Sequence, residues 1–150
     1  MSGDAQYFRA ASFAAIVQRI EARLVDCRLS NVVRREHDWV FSFDNDVTIS
    51  VYTSWRIVSE GRNRLGDCDD GQQFGVPAPV AGEQAAVELL QNKSIRQLTI
   101  REDTGDLCIS VDGAILEIIH VSSGYEGWHL NAGSLEVIAQ GGGQLAIWER

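Results

Sequence analysis

Three histidines, three cysteines and one short acidic run are the residues of this 150-residue chain whose types could do chemistry. His37 stands beside Asp38, His120 closes the apolar run "AILEIIH", and His129 follows Trp128. No two of them sit at the spacing that sets a pair of imidazoles on one helix face, and no H-E-x-x-H occurs. His120 or His129 with Glu126 is the arrangement that could supply a general base and its orienting carboxylate, the minimum for a hydrolase. Unrelated surface or half-buried positions are the plainer account of the same histidines.

The run "DCDDG", residues 67–71, looks like a fragment of a calcium loop. An EF-hand needs acids at positions 1, 3 and 5, glycine at 6 and glutamate at 12. Here the glycine comes one place early and the glutamate is missing, so no metal site is expected. Asp67, Asp69 and Asp70, with Glu60 nearby in sequence, instead form the densest negative run of the chain, in a segment read as loop, where binding residues commonly lie. Tyr125 and Glu126, in "GYEGW", make a second candidate patch. Glu117 interrupts an apolar run and is read as an outward or edge residue of a strand.

Cys27, Cys68 and Cys108 are odd in number and form no C-x-x-C, so neither a disulfide framework nor a redox motif is expected. Cys27 and Cys108 read as small buried apolar groups. Cys68 lies among acids, which disfavour its thiolate. A G-x-S-x-G elbow, a phosphate loop and a dinucleotide fingerprint are all missing, and "GGGQLAIW" reads as a hairpin turn because no helix follows it. No cofactor is implied.

Net charge is −8 and uneven: residues 1–36 carry six basic and four acidic residues, the remainder seven basic and 17 acidic. Such a surface repels phosphate backbones and attracts basic proteins, which argues against nucleic acid as a partner. No run approaches the roughly 20 apolar residues that span a bilayer, and the N-terminus lacks a basic region followed by an apolar block, so the expectation is a cytoplasmic protein with no membrane partner.

The elements that must position these residues follow from periodicity. Residues 5–25 carry Phe13, Ile16, Val17, Ile20 and Leu24 at helical spacing, with Ser2 or Asp4 to cap them. Period-two runs follow: "CRLSNVVRRE", "DWVFSF" and "VTISVY", then a strand starting at Trp55 and Ile57. Residues 60–81, with glycines, both prolines and several charges, read as the longest loop. A second helix is expected at about 82–91, with Ala86, Leu89 and Leu90 inward. The strands "SIRQLTIRE", "DLCISV", "AILEIIHV", "GWHL", "SLEVIAQ" and "QLAIWE" complete the chain.

Asp38, Ser42, Asp44, Trp55 and Ile57 align with Asp106, Ser110, Asp112, Trp128 and Leu130, with five residues inserted before Trp128. Each block follows a helix and a strand. This predicts an α+β domain of two helix-plus-antiparallel-meander repeats, 5–59 and 82–131, joined by the 60–81 loop and ended by a hairpin at 134–149. The turns are too short for parallel crossovers. The two units could cover each other or share one sheet. Trp39, Trp55, Trp128 and Trp148 all fall in strands, where core packing is the expected role.

The stretch "GYEGWHLNAGSLEVIAQGGGQLAIW" resembles the C-terminal signature of an uncharacterised family of small bacterial proteins, a domain of unknown function. Tyr125, Glu126 and Trp128, then Gly141–Gly143, then Leu145, Ala146 and Trp148 carry the likeness. "DLCISVDGAILEI" is similar to that family's strand–turn–strand. The likeness covers about residues 95–149. Ala139 and Gln140 stand where the family commonly has proline. The family has no catalytic residues to carry over, so the resemblance implies a fold unit.

By type, a small acidic protein without a catalytic set also resembles the immunity partners of secreted toxins. The expected function is therefore a non-catalytic binding protein, an immunity protein that masks a basic toxin domain through Glu60, Asp67, Asp69 and Asp70, with Tyr125 and Glu126 as a second surface. The alternatives are a ligand-sensing or structural module with a pocket between the repeats lined by Trp55 and Trp128, and the hydrolase above. Sheet edges and the "LAIWER" end leave pairing with a second copy open.

Overall fold

The computed structural model describes residues 6–7 and 10–150. Short alternating runs closed by Asp-, Asn- or Gly-bearing turns become strands, and the two runs with helical spacing become helices. The elements are β1 (Gln6–Tyr7), α1 (Ala10–Leu24), β2 (Leu29–Arg34), β3 (Trp39–Phe43), β4 (Val47–Val51), β5 (Ser54–Ser59), β6 (Arg62–Gly66), α2 (Gly82–Leu90), β7 (Ile95–Ile100), β8 (Leu107–Val111), β9 (Ala114–Ile119), β10 (Trp128–Ala132), β11 (Leu135–Gly141) and β12 (Gln144–Glu149). A 3-10 turn, Asp67–Asp69, follows β6. The fold is α+β with two antiparallel sheets. Among the described residues no helix is long and apolar enough to cross a membrane.

One sheet runs β1-β12-β11-β10-β4-β3-β2 and the other β6-β5-β9-β8-β7. Neither belongs to one half of the chain. The meander β2-β3-β4 is continued by β10 from the second half, and the meander β7-β8-β9 is continued by β5 from the first. The helices cross over too: α1 lies against β7, and α2 against β2. The registers of the two halves correspond. Trp128 stands opposite Val51, and Trp55 stands opposite Ile118. Each first strand shifts register at the same place, between Leu29 and Asn31 and between Ile95 and Gln97. Asp44 accepts the Arg28 amide at 2.9 Å, and Asp112 accepts the Ser94 amide at 3.1 Å. Arg28 and Ser94 themselves form a bridge between the two meanders.

The inner faces of both sheets meet in one core. Trp39, Phe41 and Phe43 from β3, and Val47, Ile49 and Val51 from β4, are buried, as their alternation requires. The Trp55 ring, from the other sheet, lies edge-on to Trp39 and to Phe41 at centroid distances of 5.0 and 5.2 Å. Burying a tryptophan of this size contributes roughly 5 kcal/mol of transfer free energy. Ile16, Ile20 and Leu24 of α1 and Ala86 and Leu90 of α2 close the core, with Val17 and Leu89 partly buried at its margin.

Two sequence expectations need correction here. The helix expected over 5–25 starts at Ala10, and Gln6–Tyr7 instead pair with Ile147 and Ala146 of β12. The edge of β12 offers those backbone groups a ladder before the apolar helical spacing begins. The expected caps, Ser2 and Asp4, lie outside the described residues. The expected loop 60–81 contains a strand, Arg62–Gly66, which returns along β5 after a tight turn in which Glu60 and Gly61 both have positive φ. Leu65 is its one buried apolar side chain, so the strand is held by its ladder and carries no alternation to read.

Candidate functional site

At one end of the molecule the β2–β3 turn, the β4–β5 link, the start of the 3-10 turn and the long β9–β10 link come together. They form a cleft of about 550 Å³ lined by Arg34–Trp39, Val51–Ser54, Asp67 and Val121. A second, shallower cleft of about 500 Å³ lies beside it, lined by Tyr52, Gly124, Tyr125 and Glu126. Tyr52 belongs to both, so the two are one surface.

The β9–β10 link, residues 120–127, is where the halves differ most: the corresponding β4–β5 link is only Tyr52 and Thr53. The extra residues are built tightly. The amides of Gly124 and Tyr125 donate to Ser122 Oγ at 3.1 and 2.7 Å. His120 is buried beneath, its amide donating to Asp106 and its Nε2 lying 2.8 Å from the Tyr125 carbonyl oxygen. A carbonyl only accepts, so Nε2 carries the hydrogen of this contact. Among the described residues Nδ1 has no partner. Gly127 packs against the ring so closely that a Cβ there would lie 2.5 Å from His120 Cδ2. Gly141, at φ 102°, backs onto Gly124, where a Cβ would lie 2.9 Å from the Gly124 nitrogen.

This framework lifts Val121 and Tyr125 into solvent, 77% and 84% exposed. Behind them Glu126 Oε1 lies 2.8 Å from His129 Nε2, and the His129 ring meets Tyr52 edge-on at 5.1 Å. Burial, and next the charge of Asp38, raise the Tyr52 phenol above its usual pKa. On the far wall Arg35 Nε donates to Asp38 Oδ1 at 2.8 Å, and that hydrogen bond holds the Asp38 carboxyl below its ordinary value despite its burial. Glu36 and His37, at the tip of that turn, are exposed.

The comparisons with known proteins give no relative. No family model, no curated protein and no solved structure matches this chain.

The acids singled out in the sequence do not form one patch. Glu60 sits at the β5–β6 turn, paired with Arg64 at 3.2 Å, while Asp67–Asp70 lie at the other end of β6. At about 3.3 Å per strand residue the two places are roughly 20 Å apart. Asp69 accepts the Gly66 amide at 2.9 Å and Asp67 the Trp55 amide at 3.3 Å. Asp70 Oδ1 accepts the Gly82 amide at the start of α2 at 2.8 Å, and its other oxygen pairs with Arg34. The Gly82 amide first, and Arg34 second, hold the Asp70 carboxyl below its usual range. Asp67, Asp69 and Asp70 therefore tie their segment to backbone amides of β5, of the end of β6 and of the start of α2, and of these acids Asp67 also lines the cleft. Tyr125 and Glu126 do stand together at the surface, joined by Tyr52, which sequence reasoning missed because its partners lie on a distant link.

Trp55 and Trp128 line no cleft: both are at most 1% exposed, and Trp128 Nε1 donates to the Gly105 carbonyl at 2.8 Å. A pocket lined by that pair is thereby corrected. His120 shares no hydrogen bond with Glu126 or His129. Among the described residues no hydroxyl or thiol is hydrogen-bonded to His129, and no group of three or more His, Cys, Asp or Glu side chains is placed to hold a metal.

Proposed function

We propose that this chain is a non-catalytic binding protein of the immunity type, which occludes a basic toxin domain with the surface built by Tyr52, Val121, Tyr125 and Glu126. The observation that carries this reading is the exposure of Val121 and Tyr125 on a link whose backbone is pinned from below by His120 and Gly127. Exposed aromatic and aliphatic groups held rigid lose little entropy on binding, and tyrosine is a common anchor of protein interfaces. Charge supports a basic partner. Arg19, Arg23, Arg34, Arg35, Arg56, Arg64, Arg96 and Arg101 are all engaged in ion pairs, so the surplus that faces outward is negative. Glu36 and Glu126 stand exposed at this end, and Asp67 lies in the cleft wall. They steer a basic surface toward the aromatic one, an effect that falls with salt. Co-expression with growth-inhibiting basic toxin domains tests the reading. Restored growth with the wild-type chain and lost protection with Tyr125→Ala plus Val121→Asp support it; protection unaffected by that double change removes this surface from the mechanism.

A second reading, a hydrolase based on His129, is favoured by one observation, the Glu126 carboxylate 2.8 Å from its Nε2. Turnover of ester or phosphoester substrates that disappears in His129→Ala would favour it over occlusion.

A further inference from the structure

The loop that leads into α2 is uncharged from residue 71 to residue 82, "GQQFGVPAPVAG". Two backbone bonds close its neck: the Gly71 amide donates to the Val80 carbonyl at 2.8 Å, and the Val80 amide to the Gln72 carbonyl at 2.9 Å. Above the neck the Phe74 amide donates to Gln72 Oε1 at 2.7 Å, and Gly75 turns the chain with φ 68°. Pro77 and Pro79 restrict the returning limb. This frame holds the Phe74 residue at 92% exposure, the highest of any large apolar residue among the described residues. Val76 and both prolines are exposed beside it. A contiguous apolar stretch held out in this way marks a contact site.

Where the loop ends, a groove begins. Ala81 and Gly82 follow the neck and line a depression of about 720 Å³ that runs along α2 as far as Gln91. Its apolar lining includes exposed Val33 and half-buried Val87. The acids of its lining are already engaged: Glu83 accepts the Arg34 amide at 2.8 Å, and Glu88 accepts Gln84 Nε2 at 3.2 Å. Among the described residues no basic side chain lines it.

We propose that this face is the interface of a twofold dimer of the chain, in which the Phe74 loop of each copy seats in the β2–α2 groove of the other. A twofold contact needs a surface complementary to itself. Here one chain carries both the projecting ring and the receiving groove, joined at Val80–Ala81. The reach agrees. Ala81 and Val87 are about 9 Å apart along the helix axis, and a limb of about four extended residues carries the loop tip up to about 13 Å from its neck. Charge favours a second copy over a basic protein. The loop offers no acid for a basic partner to pair with, and no charge for Glu83 and Glu88 to repel. This goes beyond the Tyr125 surface and does not depend on it.

The contact is small, two rings burying about 150–250 Å² each with the loops beside them, so the dimer should dissociate on dilution. Sedimentation equilibrium of the whole chain from the micromolar to the millimolar range tests it. The wild type should pass from single to doubled mass. Phe74→Ser should weaken the dimer about hundredfold, because each dimer loses two anchors. Val33→Glu should weaken it too, by placing a charge in the groove. A mixture of these two variants regains one intact seat, so it should associate more tightly than either variant alone. Salt should tighten the wild-type dimer, because two chains of net charge −8 repel each other. A wild type that stays monomeric throughout, a dimer that survives Phe74→Ser, or a mixture that gains nothing would overturn the proposal. So would Phe74-dependent flotation of a monomer with phosphatidylcholine vesicles, which would assign the loop to a membrane. Phe74 is exposed, so the Phe74→Ser comparison stands even if Val33→Glu fails to fold.

Discussion

His120 Nε2 lies 2.8 Å from the carbonyl oxygen of Tyr125, and through this contact a buried ring supports a link that holds Val121 and Tyr125 in solvent. The ring needs Gly127 beside it, since any side chain there would enter its volume. The surface proposed to bind is thus held from inside the core.

His120→Ala leaves the Tyr125 carbonyl without its donor and opens space under the link. The expected cost is about 1–3 kcal/mol of stability. Hydrogen exchange should accelerate at residues 124–127 before it does in β10, a local opening that denaturation alone would not reveal.

The two central tryptophans should respond differently to the same substitution. Trp128 Nε1 donates to Gly105, whereas Trp55 Nε1 is buried with no partner among the described residues. Trp128→Phe loses a hydrogen bond and strands a buried carbonyl, while Trp55→Phe removes an unsatisfied donor. Urea denaturation should show Trp128→Phe to be the more destabilised by about 1–2 kcal/mol.

Asp70 ties the start of α2 to β2. Its carboxyl is held below the ordinary value of 3.8, so its contribution is present above the unfolded-state pKa and is lost as pH falls through the folded-state one. Asp70→Ala should cost about 1 kcal/mol at neutral pH, as lost helix caps do. The gap to wild type should then narrow as pH drops below about 4. Denaturation midpoints across pH 2–7 give the comparison, and a gap that stays constant would refute this role.

The three thiols should react at distinct rates. Cys68 is exposed, while Cys27 and Cys108 are shielded, and burial pushes both of their pKa values up. A disulfide exchange reagent should titrate one thiol per chain quickly in the native state and the other two only on unfolding.

Alternation made most of this fold legible. Trp39-Phe41-Phe43 and Val47-Ile49-Val51 declare which face each strand buries, and Asp44 and Asp112 mark equivalent turns. Alternation does not say which strand lies alongside. The pairing of β4 with β10 and of β9 with β5 joins strands distant in sequence, so the exchange between halves could not be read. β6 was hidden because Arg62, Asn63 and Arg64 carry no apolar signal. At the candidate site, Tyr125 and Glu126 were readable as an aromatic–acid pair in a glycine-flanked link. Asp67, Asp69 and Asp70 looked like a free acidic patch because composition shows charge and not its partners, and in the folded chain their oxygens serve the Trp55, Gly66 and Gly82 amides.

The most direct test is the affinity of the chain for a basic toxin domain that it neutralises in co-expression, measured with wild type and with the Val121→Asp, Tyr125→Ala double variant. Both substituted residues are exposed, so melting temperature should hardly move. The account predicts at least a hundredfold loss of affinity, about 2.7 kcal/mol, and slower association of the wild type as salt rises. Equal affinity of the two chains would contradict it.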